Sequence, residues 1–297
     1  MEIRFDGQVA IVTGAGRGLG RSHALGLAAR GAKVVIVDFD PAAAGAPAAA
    51  AAVSAEIRAR GGEAIALGAD VANAGAVQDM VEHVLARWGR VDILINNAGI
   101  LRDKTFAKMD LADFRLVLET HVMGTVNCTK AVWEAMRERK YGRIVLTASA
   151  SGLYGNFGQS NYGTAKAAMV GLMNVLHLEG EKHNIRINCL LPTAATRMTE
   201  GLLPDAVAEL ATPESITPGV LFLASENAPS RVMLCAGAGS FARTLITETV
   251  GVNFPEAERT PENIAAAFGR ISDPAGAVTL TTAFQQTDKL VALARRQ

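Results

Sequence analysis

The chain is poor in the residues that mark secreted, metal-binding or nucleic-acid-binding proteins. Only three cysteines occur in 297 residues: Cys128, Cys189 and Cys235. They lie far apart, with no CxxC and no histidine pattern around them, so neither a disulfide framework nor a metal site is expected. Three reduced, mostly buried thiols are the expectation. Net charge is also absent, since 29 Lys and Arg offset 29 Asp and Glu. Nucleic acid and anionic membrane surfaces need a basic excess, so neither is an expected partner. No apolar run approaches the length of a membrane span. The N-terminal "MEIRFDGQVAIVTGAG" lacks the basic flank, apolar core and cleavage site of a signal peptide. The C-terminal "LARRQ" carries no peroxisomal or retention signal. A cytoplasmic location follows as an expectation, and the sequon "NCT" at 127–129 is discounted.

What is present is an alternation. The β-branched runs "VAIVTGA", "KVVIVD", "AIALGADV", "VDILINNAG", "RIVLTAS" and "RINCLLP" are separated by segments such as 73–88 and 110–137 with helical spacing of apolar residues. The runs are continuously apolar rather than alternating, so both faces of the sheet are covered. This pattern predicts an α/β, doubly wound parallel sheet between helix layers. The segment "PAAAGAPAAAAAV", 41–53, predicts a loop and then a helix, with no function assigned. A last strand is expected near "VMLCAGAG", followed by a tail with a capped helix at "TPENIAAAFGRI". The predicted organisation is a dinucleotide-binding and catalytic domain, 1–242, with a C-terminal extension, 243–297.

The stretch "VAIVTGAGRGLGRSHALGLAARGAKVVIVD" runs strand, glycine-rich turn, helix, strand, and ends in Asp38. It fits Thr-Gly-x-x-x-Gly-x-Gly through Thr13, Gly14, Gly18 and Gly20. Such a turn lets backbone approach a pyrophosphate at a helix N-terminus. Arg17, Leu19 and the glycines Gly14, Gly18 and Gly20 are therefore candidate cofactor residues. Asp38 is placed to accept hydrogen bonds from the adenosine ribose, and its charge opposes a 2′-phosphate, which predicts NAD rather than NADP. Arg17 is either a phosphate contact or a solvated loop charge. Asp70 and Val71, at the end of the third strand, are candidates for the adenine. Asn97, Ala98 and Gly99, at the end of the fourth, are candidates to line the cofactor, with Asn97 alternatively a tie between strands.

Tyr162 and Lys166 in "SNYGTAK" lie four residues apart and share a helix face. A phenol is a poor base near neutrality, and a neighbouring ammonium is expected to lower its pKa. Tyr162 then removes a hydroxyl proton as hydride leaves. Ser149, or alternatively Ser151, is expected to hold the substrate oxygen.

These motifs together resemble the short-chain dehydrogenase/reductase superfamily: TGxxxGxG, NNAG, and a serine thirteen positions before the tyrosine of YxxxK. The resemblance implies a Rossmann-like sheet of about seven parallel strands, a homodimer or homotetramer, and roles for Ser149, Tyr162 and Lys166, with Lys166 also gripping the nicotinamide ribose. Where that superfamily has a relay asparagine, "LETHVMGTVN" carries His121, read as a proton relay or as a packing residue. The histidine, "PTAATRMT" and the tail resemble the (3R)-hydroxyacyl-CoA dehydrogenase units of type 2 multifunctional enzymes. That implies oxidation of a (3R)-3-hydroxyacyl-CoA, with Thr196 on the nicotinamide carboxamide. The segment after Thr196, roughly 197–212, and the tail are expected to shape the substrate pocket. A 17β-hydroxysteroid or other bulky alcohol dehydrogenase, and a non-catalytic NAD(H)-sensing protein, are the alternatives.

Overall fold

In the computed structural model, which describes residues 2–43, 45–196 and 204–295, the chain forms two compact units, Met1–Arg243 and Thr244–Gln297. The first is built on β1 (Val9–Thr13), β2 (Lys33–Asp38), β3 (Glu63–Gly68), β4 (Ile93–Asn96), β5 (Gly142–Thr147), β6 (Ile185–Thr193) and β7 (Met233–Gly237). These run parallel in the order 3-2-1-4-5-6-7, and β8 (Ser240–Thr244), a strand the sequence did not announce, extends the β7 edge. The order reverses between β1 and β4, which opens a crevice at the carboxyl ends of the strands.

Continuous hydrophobicity in the strands has the expected cause. Val9, Ile11, Val35 and Val37 face one layer, while Ala10, Val12, Val34 and Ile36 face the other. The first layer contains α3 (Ala74–Trp88), α5 (Gly124–Arg139) and α7 (Ser160–Gly180), which bury Val77, Val81, Val132, Met169 and Met173. The second contains α1 (Gly18–Ala29), α2 (Ala48–Ala59) and α9 (Pro213–Ala224), which bury Leu27, Val53, Ile57, Ile216 and Val220. Each fully buried aliphatic side chain of this kind contributes about 1.5–3 kcal/mol. Cys128 and Cys189 are buried in the first layer, and burial pushes both thiols up to about 12.

Between α4 (Leu111–Leu118) and α5 the backbone makes one π-helical turn, Glu119–Met123. Short α6 (Ala150–Tyr154) follows β5, and α8 (Asp205–Leu210) precedes α9. No helix among the described residues is long and apolar enough to cross a membrane.

The second unit holds α10 (Pro261–Ala266), α11 (Phe268–Ile271) and α12 (Ala283–Ala294). Thr260 caps α10 at the Asn263 N–H, where the sequence places a helix start. Within this unit a bridge joins Glu248 to Val278, and Lys289 pairs with Glu248 at 2.7 Å.

Candidate active site

A cavity of about 800 Å³ lies over the carboxyl ends of the strands. At its β1 end the chain leaves Thr13 and turns at Gly14, whose φ of +62° favours glycine, and whose added Cβ would stand 2.9 Å from the Ala98 Cα. α1 begins at once, with Arg17 at its N-cap, no side-chain cap and no acid in its first turn. Its leading N–H groups are left unpaired by side chains, and Gly18 and Leu19 line the cavity. This is the arrangement that suits a phosphate. Gly20 sits beneath the turn against the Gly14 carbonyl and does not line the cavity.

Asp38 ends β2 and lines the same cavity. Its carboxylate accepts from the Gly16 N–H and the Phe39 N–H, both at 2.8 Å, so its position is set by backbone. Arg17 is exposed at the rim. Asn97 acts as a tie: its amide donates to the Thr13 carbonyl at 3.0 Å and the Gly14 carbonyl at 3.2 Å. Thr13 Oγ1 accepts from the N–H groups of Asn97 and Ala98. Asn97, Ala98 and Gly99 all line the cavity, as does Thr196, within van der Waals reach of Gly18.

Asp70 and Val71 do not line it. The Val71 carbonyl accepts from the Asn127 amide on α5 at 3.0 Å, and its side chain packs over Gly124. Asp70 turns back to the Ala72 N–H. The end of β3 is thus tied to α5 through the Val71 carbonyl. Pro41, Pro47, Ala48 and Ala49 line the cavity instead, so the alanine-rich segment with no assigned function belongs to the site. No local pattern in the sequence signals this.

The reactive groups gather at the β5 end. Ser149 caps α6, its Oγ accepting from the Ser151 N–H at 3.2 Å, and it lies near enough to Tyr162 to pull the phenol's pKa down. Ser151 donates instead to Gln159 Oε1 at 2.9 Å, which separates the two serines that spacing left open. α7 carries Tyr162 and, one turn on, Lys166, whose Nζ lies 5.5 Å from the phenol ring centroid and donates to the Thr147 carbonyl at 2.5 Å.

The electrostatics differ from the expectation. Burial raises the Tyr162 pKa above its ordinary value, with Ser149 pulling down and Asp103 pushing up. Lys166 is itself fully enclosed, and burial lowers it to about 7, opposed by the Cys189 thiol. An amine so depressed does not hold the phenol down by itself.

His121 rides on the π turn and is buried. Gly99 makes room for it, since a Cβ there would meet the imidazole Cε1 at 2.1 Å. Nε2 faces both the Ile100 N–H at 3.0 Å and the Ile100 carbonyl at 2.8 Å, while Nδ1 is buried without a partner among the described residues. Burial and then Lys166 push its pKa down to about 3. The ring is therefore neutral through the physiological range, contrary to a relay that protonates near neutrality.

The model of the short chain dehydrogenase family matches residues 8–206. The chain belongs to that family. Among relatives, a short-chain type dehydrogenase/reductase of Mycobacterium tuberculosis is 43% identical over 91% of this chain and 96% of its own. Peroxisomal multifunctional enzyme type 2 of Mus musculus is 40% identical over 97% of this chain, which spans 40% of that protein's length. The solved full-length multifunctional enzyme type 2 of Drosophila melanogaster superposes with a TM-score of 0.82 at 34% identity, covering 99% of this chain and 50% of that one. As a short-chain dehydrogenase the chain is an oxidoreductase enzyme with a Rossmann-like sheet. Residues 197–203, part of the segment expected to shape the substrate pocket, lie outside the described residues.

Proposed function

We propose that this short-chain dehydrogenase uses NAD to oxidise a secondary alcohol, and that its substrate is a (3R)-3-hydroxyacyl-CoA, converted to the 3-ketoacyl-CoA. One observation carries the chemistry: Ser149, Tyr162 and Lys166 line the same cavity as Asp38. The acyl-CoA substrate follows from the resemblance of the whole chain, tail included, to multifunctional enzyme type 2, and the 40% identity over 97% of the chain supports it.

In this reading the α1 N-terminus, with Gly14, Gly18 and Leu19, receives the pyrophosphate. Asp38 accepts from the adenosine ribose and opposes a 2′-phosphate, while Thr196 takes the carboxamide. Ser149 holds the substrate oxygen, and Tyr162 removes the hydroxyl proton at its Oη. When bound, the nicotinamide supplies the hydride acceptor and a positive charge. Lys166, in its protonated form, favours the phenolate and donates to the nicotinamide ribose. The enzyme acts as a cytoplasmic homodimer or homotetramer.

The test is NADH formation with paired (3R)- and (3S)-3-hydroxyacyl-CoA. Turnover of the R form alone supports the reading. Cofactor binding without turnover of either, but with turnover of steroid alcohols, moves the substrate to the bulky-alcohol class. Tyr162→Phe that abolishes turnover and still binds NADH separates an enzyme from a cofactor sensor.

A further inference from the structure

Beside the reacting groups lies a polar network that proton and hydride transfer do not use. Gln159 stands at the N-cap of α7 but does not cap it. Its side chain turns to line the cavity and is 7% exposed. Oε1 accepts from Ser151 Oγ at 2.9 Å and from the Asn156 amide at 3.0 Å, and Nε2 donates to the Asp103 carboxylate at 2.7 Å. A carboxylate only accepts and the Asn156 amide nitrogen only donates, so the network itself fixes which end of the Gln159 amide is nitrogen.

We propose that Gln159 is a specificity-determining residue, whose second amide N–H receives a neutral carbonyl oxygen next to the reacting carbon, as in a 3-hydroxyacyl thioester. This rests on the reading under Proposed function and names the substrate feature that the site selects.

Three observations lead there. The first is a count: a primary amide has two N–H donors, Asp103 takes one, and the other remains for a ligand. The second is a fixed span. Ser151 links the two ends, donating its N–H to Ser149 Oγ and its hydroxyl to Gln159 Oε1. A substrate oxygen held at Ser149 and a second acceptor held at Gln159 are thus set by one short wired segment. The third is charge. Asp103 lies against Gln159 Nε2, and its loop is pinned to α7 through the Asn161 amide on the Arg102 carbonyl and to the turn before α7 through the Lys104 N–H on the Gly158 carbonyl. A free carboxylate at that spot meets like charge, whereas an uncharged thioester carbonyl does not. Lys104 and Arg102 on the same loop are turned to Asp113, at 3.7 and 3.6 Å, and so do not cancel Asp103.

The experiment compares kcat/KM for three substrates of equal chain length: the (3R)-3-hydroxyacyl-CoA, the free (3R)-3-hydroxy acid, and a secondary alcohol without the carbonyl. Gln159→Met is expected to lower kcat/KM for the thioester roughly tenfold, the upper range of one neutral hydrogen bond, mainly through KM. The simple alcohol, which offers no carbonyl to the amide, should lose severalfold less than the thioester. Asp103→Asn is expected to raise the ratio of kcat/KM for the free acid to that for the thioester severalfold, a ratio in which any common effect on Tyr162 cancels. Equal losses on thioester and alcohol in Gln159→Met, or no loss on either, overturn the inference while the acyl-CoA reading stands. A wild type that oxidises the plain alcohol better than the thioester overturns both. If Gln159→Met fails to bind NADH, the ratio of free acid to thioester in exposed Asp103→Asn decides, and an unchanged ratio rejects the inference.

Discussion

His121 meets Tyr162 edge-on, with ring centroids 5.4 Å apart and planes at 85°. The contact joins the proposed base to an imidazole whose Nδ1 is buried without a partner among the described residues. A ring with its pKa near 3 is uncharged at pH 7, yet a neutral imidazole keeps one N–H and so both donates and accepts. Such a ring moves a proton only by exchanging tautomers.

That distinction has a kinetic signature. His121→Ala is expected to lower kcat roughly a hundredfold, the low end of assisted proton transfer, without displacing the acid limb of the pH–rate profile. His121→Asn, whose amide both donates and accepts, should restore most of the loss. An acid limb that moves in His121→Ala shows that the imidazole titrates in the working range. An unchanged rate removes the relay altogether.

The cofactor preference turns on Asp38 and its two backbone anchors. Asp38→Ser removes the charge that opposes a 2′-phosphate and leaves exposed Arg17 at the same rim. The ratio of NADPH to NADH affinity, read by fluorescence titration, should rise about tenfold or more. If wild type already binds NADPH as well as NADH, Asp38 does not set the choice.

How far the sequence carried the reading depends on where each cause resides. The glycine turn, Asp38 and the Tyr162–Lys166 spacing are written in backbone geometry over a few residues, so they were legible, as was the alternation of strands and helices. The direction of the Tyr162 and His121 pKa shifts was not, because burial by α4, α5, α7 and the β4 exit exists only once they pack. Asp70 and Val71 have the strand-end position the sequence gives them, but the tie from the Asn127 amide to the Val71 carbonyl comes from 56 residues away and has no local signal. Gln159, three residues before Tyr162, was in plain view. Its partner Asp103 is separated from it by 56 residues, and without that partner a glutamine in a helix start carries no signal.

Lys166 is a buried amine that the proposed mechanism uses and stability does not need. Its pKa falls from 10.5 to about 7, so the unfolded chain binds its proton more readily between those values. The resulting penalty on the folded state is full below pH 7, shrinks as pH rises and is gone above 10.5. Lys166→Met fills the same space without charge. In the cofactor-free protein it should raise the thermal midpoint by several degrees at pH 6, an effect of a few kcal/mol. The gap should be about halved at pH 9. A variant less stable than wild type at pH 6 contradicts the assignment, and loss of turnover in the same variant is expected.

The acid limit of stability is set partly far from the site. His23 on α1 is fully buried, its Nδ1 held 2.9 Å from Thr217 Oγ1 on α9 and its Nε2 without a partner among the described residues. Burial lowers its pKa from 6.5 to about 3. Over that window the unfolded chain binds more protons, so the stability associated with neutral His23 is present above pH 6.5 and falls as the pH drops. At pH 5 the loss is about 2 kcal/mol from this residue, and His121 adds to it in the same direction. His23→Asn keeps a polar partner for Thr217 and cannot titrate. Urea unfolding at pH 7.5 and pH 5 should show the variant losing about 2 kcal/mol less than wild type between the two, whatever its stability at pH 7.5. Identical losses would mean that His23 takes up its proton without leaving the α1–α9 interface.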